Sequence, residues 1–307
     1  MQRPSPDALA AARAVARRNH DRAAQVRRLF VERPDTSNVT PLALMLRGGR
    51  GGQVRLKTYL SILWLASAPP HDVAYPSRAW ATLLDLGDPA GRGARRITDA
   101  TSWLESHHFI TVESRPGHPN AITLLDESGT GRRYRVPGAA YNKAASRDAE
   151  PHILARHRYI QIPAAFWTSG WLAALSGAAV AMYLVLLTEQ AGHSLGRELW
   201  FSPETARLRY VLSDDTRSTG LGELRRAGLV AVRRRPVATD IFDVQRFRNV
   251  YVLQPDRLTD VAEVPGPRQA HEVDSEAIAK KPQGKALRSR RAAPVPSVAA
   301  RPRRKPA

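Results

Sequence analysis

The feature that most constrains the fold of this chain is an internal duplication of one order of elements. Residues 54–126 and residues 177–255 each predict a helix, a short aromatic strand, a capped helix, a second amphipathic helix and a β-hairpin. Tyr59 and Tyr183 occupy the same place in the first helix of the two copies. We therefore expect a mainly helical α+β protein that contains two similar modules with small β-hairpins.

The first copy shows helical spacing followed by strand alternation. Its apolar residues recur at intervals of three and four, with Pro and Gly between the stripes. Residues 109–113 and 121–125 alternate as strands around a Pro-Gly tip and predict a hairpin. The residues expected in the helical core are Leu56, Tyr59, Leu60, Leu63, Trp64, Trp80, Leu83, Leu84, Ile97, Ala100 and Leu104.

The second copy carries clearer signals for the ends of its helices. Ser202 and Pro203 have the residue types of an N-cap and a first helical position, and Ser213 caps the following helix. Gly228 ends that helix. Residues 229–234 and 247–253 predict a second hairpin, which carries five arginines between positions 233 and 248.

The segments outside the two copies differ from them in composition. Residues 1–53 predict a basic, Ala-rich helical arm over 6–32, a short helix that begins at Thr40 and a flexible Gly-rich joint. Residues 127–158 predict a polar linker, so that the second domain spans 159–255. Residues 256–307 predict a disordered basic tail, since 268–307 contains eleven Lys/Arg, three acids and few apolar residues.

The charge of the chain indicates a polyanionic partner. Lys and Arg total 47 against 28 acids, which gives a formal net charge of +19, and only six of the 47 are Lys. A GC-rich genome raises the number of Arg but does not remove acids, so the excess favours nucleic acid. The absence of Cys excludes disulfides and zinc sites with Cys ligands.

The helix–strand–helix–helix–hairpin order resembles the winged helix-turn-helix superfamily, and it covers about half of the chain. Two such units with a leading helix and a basic tail also resemble the replication initiators of actinobacterial plasmids and integrated mobile elements. This resemblance implies binding of double-stranded DNA at repeated origin sequences, with one unit serving as a possible homodimer surface. It also implies recruitment of host replication proteins such as the helicase.

The fold implied by this resemblance assigns roles to the basic residues of each copy. The second amphipathic helix would enter the major groove with its N-terminal residues, and the hairpin would be a wing that tracks the backbone or the minor groove. In the first copy the candidate DNA-binding residues are Arg92, Arg95, Arg96 and Ser102 on the helix and Arg115 on the wing. In the second copy they are Arg217, Ser218, Arg225, Arg226, Arg233, Arg234, Arg235, Arg246 and Arg248.

Two further functions remain open from the sequence. Winged helices also serve as transcriptional regulators, and they serve as protein-docking modules, for which the basic tail would be a nonspecific DNA anchor. We expect no enzyme, since neither a phosphate-binding loop nor a His-Glu-x-x-His motif occurs in the sequence. We also expect no cofactor, no metal site and no membrane partner, and a cytoplasmic, nucleoid-associated location.

Overall fold

The computed structural model describes residues 1–33, 39–48, 50–237 and 246–266. Within these residues the chain is a mixed α+β protein with small antiparallel sheets, which confirms the expected fold class at that level. Residues Met1–Gly266 form one compact unit. The predicted disordered tail lies outside the described residues from position 267 onward, so its state stays a prediction.

Helices make up about half of the described chain, and the strands are short. The helices are α1 (Pro6–Arg18), α2 (Arg28–Val31), α3 (Pro41–Leu46), α4 (Arg50–Leu65), α5 (Ser77–Leu83), α6 (Arg92–Ser106), α7 (Pro137–Ala145), α8 (Pro151–His157), α9 (Ala165–Thr168), α10 (Trp171–Ala174), α11 (Gly177–Gln190), α12 (Pro203–Thr205) and α13 (Asp214–Arg226). The strands are β1 (Ala24–Arg27), β2 (Asp72–Val73), β3 (Ile110–Glu113), β4 (Ala121–Leu124), β5 (Tyr159–Ile162), β6 (Val230–Pro236) and β7 (Phe247–Leu253). A π-helix (Ala206–Tyr210) follows α12, and a 3-10 helix (Pro255–Thr259) follows β7.

The first copy has the element order that its periodicity predicts. The apolar stripe of α4 is buried, and α6 buries Ile97, Ala100 and Leu104 as expected. The predicted hairpin is β3 with β4, and β2 pairs with the outer side of β4, so that the sheet order is β2-β4-β3. The helices α5 and α6 pack against each other, and α4 packs on α6.

The second copy repeats this arrangement of strands. Here β6 and β7 form the predicted hairpin, and Leu199 makes an isolated antiparallel bridge with Tyr251 of β7. The short segment before α5 in the first copy, and before α12 in the second, therefore pairs with the last strand of its hairpin. Ser202 caps α12 as expected, whereas α5 lacks the expected side-chain cap. The helices α11 and α13 pack closely on each other, as α4 and α6 do.

The two copies share one hydrophobic core. The helices α4 and α11 contact each other, and the aromatic residues that precede α11 reach back to α4. Trp64 stacks on Trp167 with ring centroids 4.7 Å apart, and Phe166 stacks on Tyr183 at 5.0 Å. Stacked aromatic pairs at this spacing stabilise their interface beyond the area that they bury.

The N-terminal arm differs from the single helix expected over residues 6–32. The helix ends at Arg18, and His20 and Asp21 adopt positive φ values of 53° and 50° that turn the chain. Residues Ala24–Arg27 then form β1, which pairs antiparallel with β5. The apolar residues of β1 are buried in a strand, so the prediction of a helix from their spacing was wrong here.

Part of the predicted Gly-rich joint lies in a helix. The helix α4 begins at Arg50 and contains the glycines that follow it. A Cβ on Gly52 would lie 2.6 Å from the carbonyl oxygen of Leu46, so this glycine permits close packing of α3 on α4. The short helix expected from Thr40 is present, and the Thr40 side chain accepts a hydrogen bond from the backbone N–H of Ala43 at 3.1 Å.

Residues 127–158 contain more structure than the expected linker. They include α7 and α8, each with Pro in its first turn. Glu127 is fully buried and pairs with Arg27 of β1. This buried ion pair ties the segment to the N-terminal strand, which composition alone did not indicate.

The folded part also continues past the boundary expected at residue 256. Leu258 and Ala262 are buried, and Val264 makes an antiparallel bridge with Gln2. The last turns before Gly266 therefore pack on the N-terminus of the chain.

Candidate nucleic-acid interface

The start of α6 is fixed by Asp88 in the preceding turn. Its carboxylate accepts hydrogen bonds from the backbone N–H groups of Gly91 at 3.2 Å and Arg92 at 3.0 Å. The hydrogen bond from Arg92 is the main cause that lowers the pKa of Asp88. A negative group at this position also complements the positive end of the helix dipole.

The helix α6 separates an apolar inner face from a cationic outer face. Gly93, Ile97, Ala100 and Leu104 are buried, so positions between them point outward. The exposed side chains of the outer face are Arg92, Arg95, Arg96, Thr98, Asp99 and Ser102. The structure thus brings all four candidate residues of this helix to one accessible surface.

These arginines differ in how they are held. Arg92 lies 3.7 Å from Asp88, in an exposed pair that contributes little stability. Arg95 and Arg96 form no ion pair with any residue that the structure describes. Their guanidinium groups are therefore available to an external anion.

A second cation lies close to Arg96. A cavity of about 520 Å³ is lined by Arg96 and Asp99 of α6 together with Arg55 of α4. The Arg55 guanidinium lies 4.7 Å from the centroid of the Trp103 ring, and its Nη1 donates to the carbonyl oxygen of Arg47 at 3.0 Å. Sequence reasoning missed Arg55, although it lies one helical turn before the buried Tyr59.

The first hairpin presents one candidate arginine. Arg115 is exposed and pairs with Glu113 at 3.0 Å. His118 is exposed on the same loop. This wing therefore offers less net positive charge than the outer face of α6.

The helix α13 begins as predicted, with acidic residues at its N-terminus. The Ser213 hydroxyl oxygen accepts a hydrogen bond from the backbone N–H of Thr216 at 3.1 Å. Arg217 is 21% exposed and lies 3.7 Å from Asp214, while Ser218 donates to the carbonyl oxygen of Asp215 at 3.2 Å. Arg217 is thus the least accessible of the candidate arginines near a helix start.

The C-terminal end of α13 contains two further candidates. Arg225 is exposed and forms no ion pair within the described part of the chain. Arg226 is partly buried, and its Nε has no hydrogen-bond partner among the described residues. Of these two arginines, Arg225 is therefore the more accessible.

The second hairpin gathers cations on one face. The strand register places Arg235 opposite Arg248 and Arg233 opposite Val250, so these three arginines share a face. Glu198, next to the Leu199 bridge, pairs with Arg233 at 3.4 Å and with Arg235, whose Nε donates at 2.9 Å. The hydrogen bond from Arg235 lowers the pKa of Glu198.

Other side chains of this hairpin are held by aromatic rings. The Arg248 guanidinium lies 4.7 Å from the centroid of the half-exposed Trp200 ring. Arg234 lies on the opposite face, over Phe247 at 5.3 Å. Arg246 is exposed, and its carbonyl oxygen accepts from the N–H of Val237 at 2.8 Å. The tip, residues 238–245, lies outside the described residues.

Glu198 and Trp200 are residues of this face that sequence reasoning missed. A signal existed, because the sequence predicts a short strand that starts at Leu199. Strand alternation places Glu198 and Trp200 on the side opposite to the buried Leu199. Glu198 and Trp200 lie beside the hairpin arginines because Leu199 pairs with β7. The sequence did not indicate this pairing.

Neither a protein-family model, nor a curated protein, nor a solved structure matches the chain. Among the described residues, no cluster of three or more His, Asp or Glu side chains has the geometry to hold a metal ion. No helix in the described part of the chain is long and apolar enough to cross a membrane. The function must therefore be inferred from the arrangement of its own side chains.

Proposed function

We propose that this protein binds double-stranded DNA sequence-specifically through two winged helix-turn-helix units. The observation that carries the proposal is the outer face of α6, where Arg95 and Arg96 are exposed and form no ion pair with any described residue. The repeated sheet order, in which the segment before α5 or α12 pairs with the last strand of the hairpin, supports the winged-helix interpretation.

In this proposal α6 is the recognition helix of the first unit. The major groove of B-DNA is ~12 Å wide and admits one helix, whose N-terminal residues contact base edges. Arg95 and Arg96 lie in the first two turns of α6. Each guanidinium carries donors that match the two acceptors of a guanine, and Arg92 and Ser102 flank them for phosphate contact.

The second unit contributes more through its wing than through α13. Asp214 and Asp215 precede Arg217 at the start of α13 and would repel phosphates there. The wing face that carries Arg233, Arg235 and Arg248 suits the backbone or the narrow minor groove. Glu198 neutralises part of this charge and holds two of the guanidinium groups in place.

We propose that the biological role of this binding is the initiation of replication of a plasmid or integrated mobile element. Two DNA-binding units within the compact unit Met1–Gly266 would suit repeated sites at an origin, where the bound protein would recruit the host helicase. Transcriptional regulation is the competing role of the same DNA-binding chemistry. The arrangement of the bound sites separates the two roles, because direct repeats beside an AT-rich stretch indicate an origin and a palindrome at a promoter indicates regulation.

Footprinting of the purified protein on fragments from its own genetic neighbourhood tests the proposal. We expect protection of repeated sites by the wild-type protein and loss of protection with Arg95→Ala plus Arg96→Ala. Each bidentate contact to a guanine is worth about 1–3 kcal/mol, so the double variant should bind at least ~10-fold more weakly. Equal protection by the two proteins would contradict the assignment of α6.

The replication role has a separate test. A plasmid that carries the gene and its neighbourhood should lose stable maintenance when the double variant replaces the wild-type gene. Unchanged copy number, together with altered transcript levels, would favour the regulator instead.

A further inference from the structure

A cavity of about 820 Å³ lies beside α7 and α8, and none of the candidate DNA-binding residues lines it. Four cationic side chains line it, and none of its described lining residues is acidic. These cations are Arg133, Arg135, Lys143 and Arg147.

The rim cations have no counter-charge of their own. All four side chains are exposed, and none forms an ion pair within the described residues. Elsewhere the described chain neutralises clustered cations, as Glu198 does for Arg233 and Arg235. Among the described residues no carboxylate lines this cavity, although Asp126 and Glu127 lie near enough to act on Tyr134, and the excess of lining cations gives a positive potential that attracts anions.

The floor of the cavity is apolar and has room. Val136, Ala140 and Ala144 line it together with Tyr134, which is 4% exposed. The Tyr134 ring meets the His71 ring edge-on, with centroids 5.0 Å apart. Small alanine side chains on α7 leave space for a flat or apolar group above this floor.

His157 at the cavity carries an unused polar atom. Its Nδ1 is buried without a hydrogen-bond partner among the described residues. Burial lowers the pKa of His157, and the positive charges of Arg27, Arg135 and Arg156 lower it further, while Asp126 opposes them.

We propose that this cavity binds a phosphorylated organic molecule of nucleotide size, with its phosphate at the cationic rim and its apolar part on the floor. Its volume lies within the range of small-molecule sites, about 300–1,000 Å³. Arginine is suited to phosphate because its planar donors form two parallel hydrogen bonds to the oxygens. This proposal does not depend on the DNA-binding function.

Equilibrium dialysis of the full chain against the four ribonucleoside monophosphates, adenosine and inorganic phosphate tests the proposal. We expect at least one monophosphate to bind one molecule per chain, about 10-fold or more tightly than either adenosine or inorganic phosphate. This order of affinities follows because only the monophosphate fills both the rim and the floor.

Two variants remove different features of the cavity. Arg135→Ala plus Arg147→Ala removes charge from the rim, and Ala140→Phe fills the floor without a change of charge. Both should weaken monophosphate binding about 10-fold or more. Arg13→Ala plus Arg17→Ala removes the same charge from exposed positions on α1, outside the cavity lining, and should bind as the wild-type protein does.

Three outcomes would overturn the proposal. They are the absence of monophosphate binding to the wild-type protein, equal binding by inorganic phosphate, and undiminished binding by both cavity variants. If the rim variant instead lost affinity for duplex DNA alone, the cations would belong to a DNA phosphate contact.

Discussion

Single buried ionisable residues connect the elements of this fold, and Lys57 is one of the most enclosed of them in the described chain. It lies on α4, and its Nζ donates a hydrogen bond to the carbonyl oxygen of Ala173 at 2.8 Å. Burial lowers the pKa of Lys57 to about 7, and the charges of Glu223 and Asp85 oppose this shift. The ammonium form is therefore costly where α4 meets α10.

Lys57 predicts a rise of stability with pH. Between pH 7 and about 10.4 the unfolded lysine holds a proton that the folded one has lost, so the free energy of unfolding rises with pH. The expected contribution is about 1.4 kcal/mol per pH unit within that window. Urea unfolding from pH 7 to 9 should show this slope in the wild-type protein and a smaller slope in Lys57→Met. Identical slopes in the wild-type protein and in Lys57→Met would show that Lys57 does not cause this pH dependence.

Arg27 and Glu127 form a buried ion pair. Both side chains are buried, and Arg27 Nη2 also donates to the carbonyl oxygen of Arg135 at 2.7 Å. Glu127→Leu leaves Arg27 buried without its carboxylate, so we expect a loss of about 3–5 kcal/mol in unfolding free energy. The double variant Arg27→Met plus Glu127→Leu should be more stable than Glu127→Leu. Additive losses in denaturant unfolding would show that the pair is not coupled.

At the scale of elements, the packing of α13 on α11 depends on a glycine. A Cβ on Gly220 would lie 2.4 Å from the backbone carbonyl oxygen of Ala178, so the two helices approach too closely for a side chain. Gly222, on the same helix, meets only the flexible end of Arg226 at 3.3 Å. Position 220 therefore has no room for a side chain, whereas position 222 can accept one if the Arg226 side chain shifts slightly.

This contrast gives a matched pair of substitutions. Gly220→Ala should destabilise the fold by about 1–3 kcal/mol because the helices must separate. Gly222→Ala should stabilise it by up to about 1 kcal/mol, since alanine favours the helix and has room. Thermal and urea unfolding of both variants measure the difference. Equal effects would mean that α11 and α13 do not pack as described.

Most elements of the duplicated regions could be predicted from the sequence. The helical stripes of α4 and α6 and the alternation of β3 and β4 are local patterns, and the structure confirms them. The prediction of a helix where the structure has β1 was wrong. Val26 of β1 shares a helical spacing with Ala23 before it and Phe30 after it, so the spacing favoured a helix. The true partner of β1, which is β5, lies more than 130 residues later in the chain, and such a long-range pairing leaves no local signal.

The candidate site also contains residues that local patterns predict and residues that depend on long-range pairing. The outward direction of Arg95 and Arg96 follows from the apolar stripe of α6, so periodicity was sufficient. The neighbours of the second hairpin, Glu198 and Trp200, required knowledge of the strand pairing. The rim of the cavity beside α7 lay in a segment that composition described as a linker.

At the scale of the whole molecule, the two copies share one core within Met1–Gly266. The Trp64–Trp167 stack lies between α4 and the segment that precedes α11. We therefore expect residues 1–266 to unfold in one cooperative transition. Tryptophan fluorescence and far-UV circular dichroism should report the same urea midpoint in the full chain. Two separated midpoints would indicate that the copies unfold independently.

We propose that Arg95 and Arg96 of α6 contact the edges of DNA bases. The most direct measurement is the ratio of affinities for the protected site and for a scrambled duplex, compared between the wild-type protein and Arg95→Lys plus Arg96→Lys. Lysine keeps the charge but lacks the planar pair of donors. We predict a ratio at least ~10-fold lower in the variant, with an unchanged salt dependence. An unchanged ratio would contradict the account.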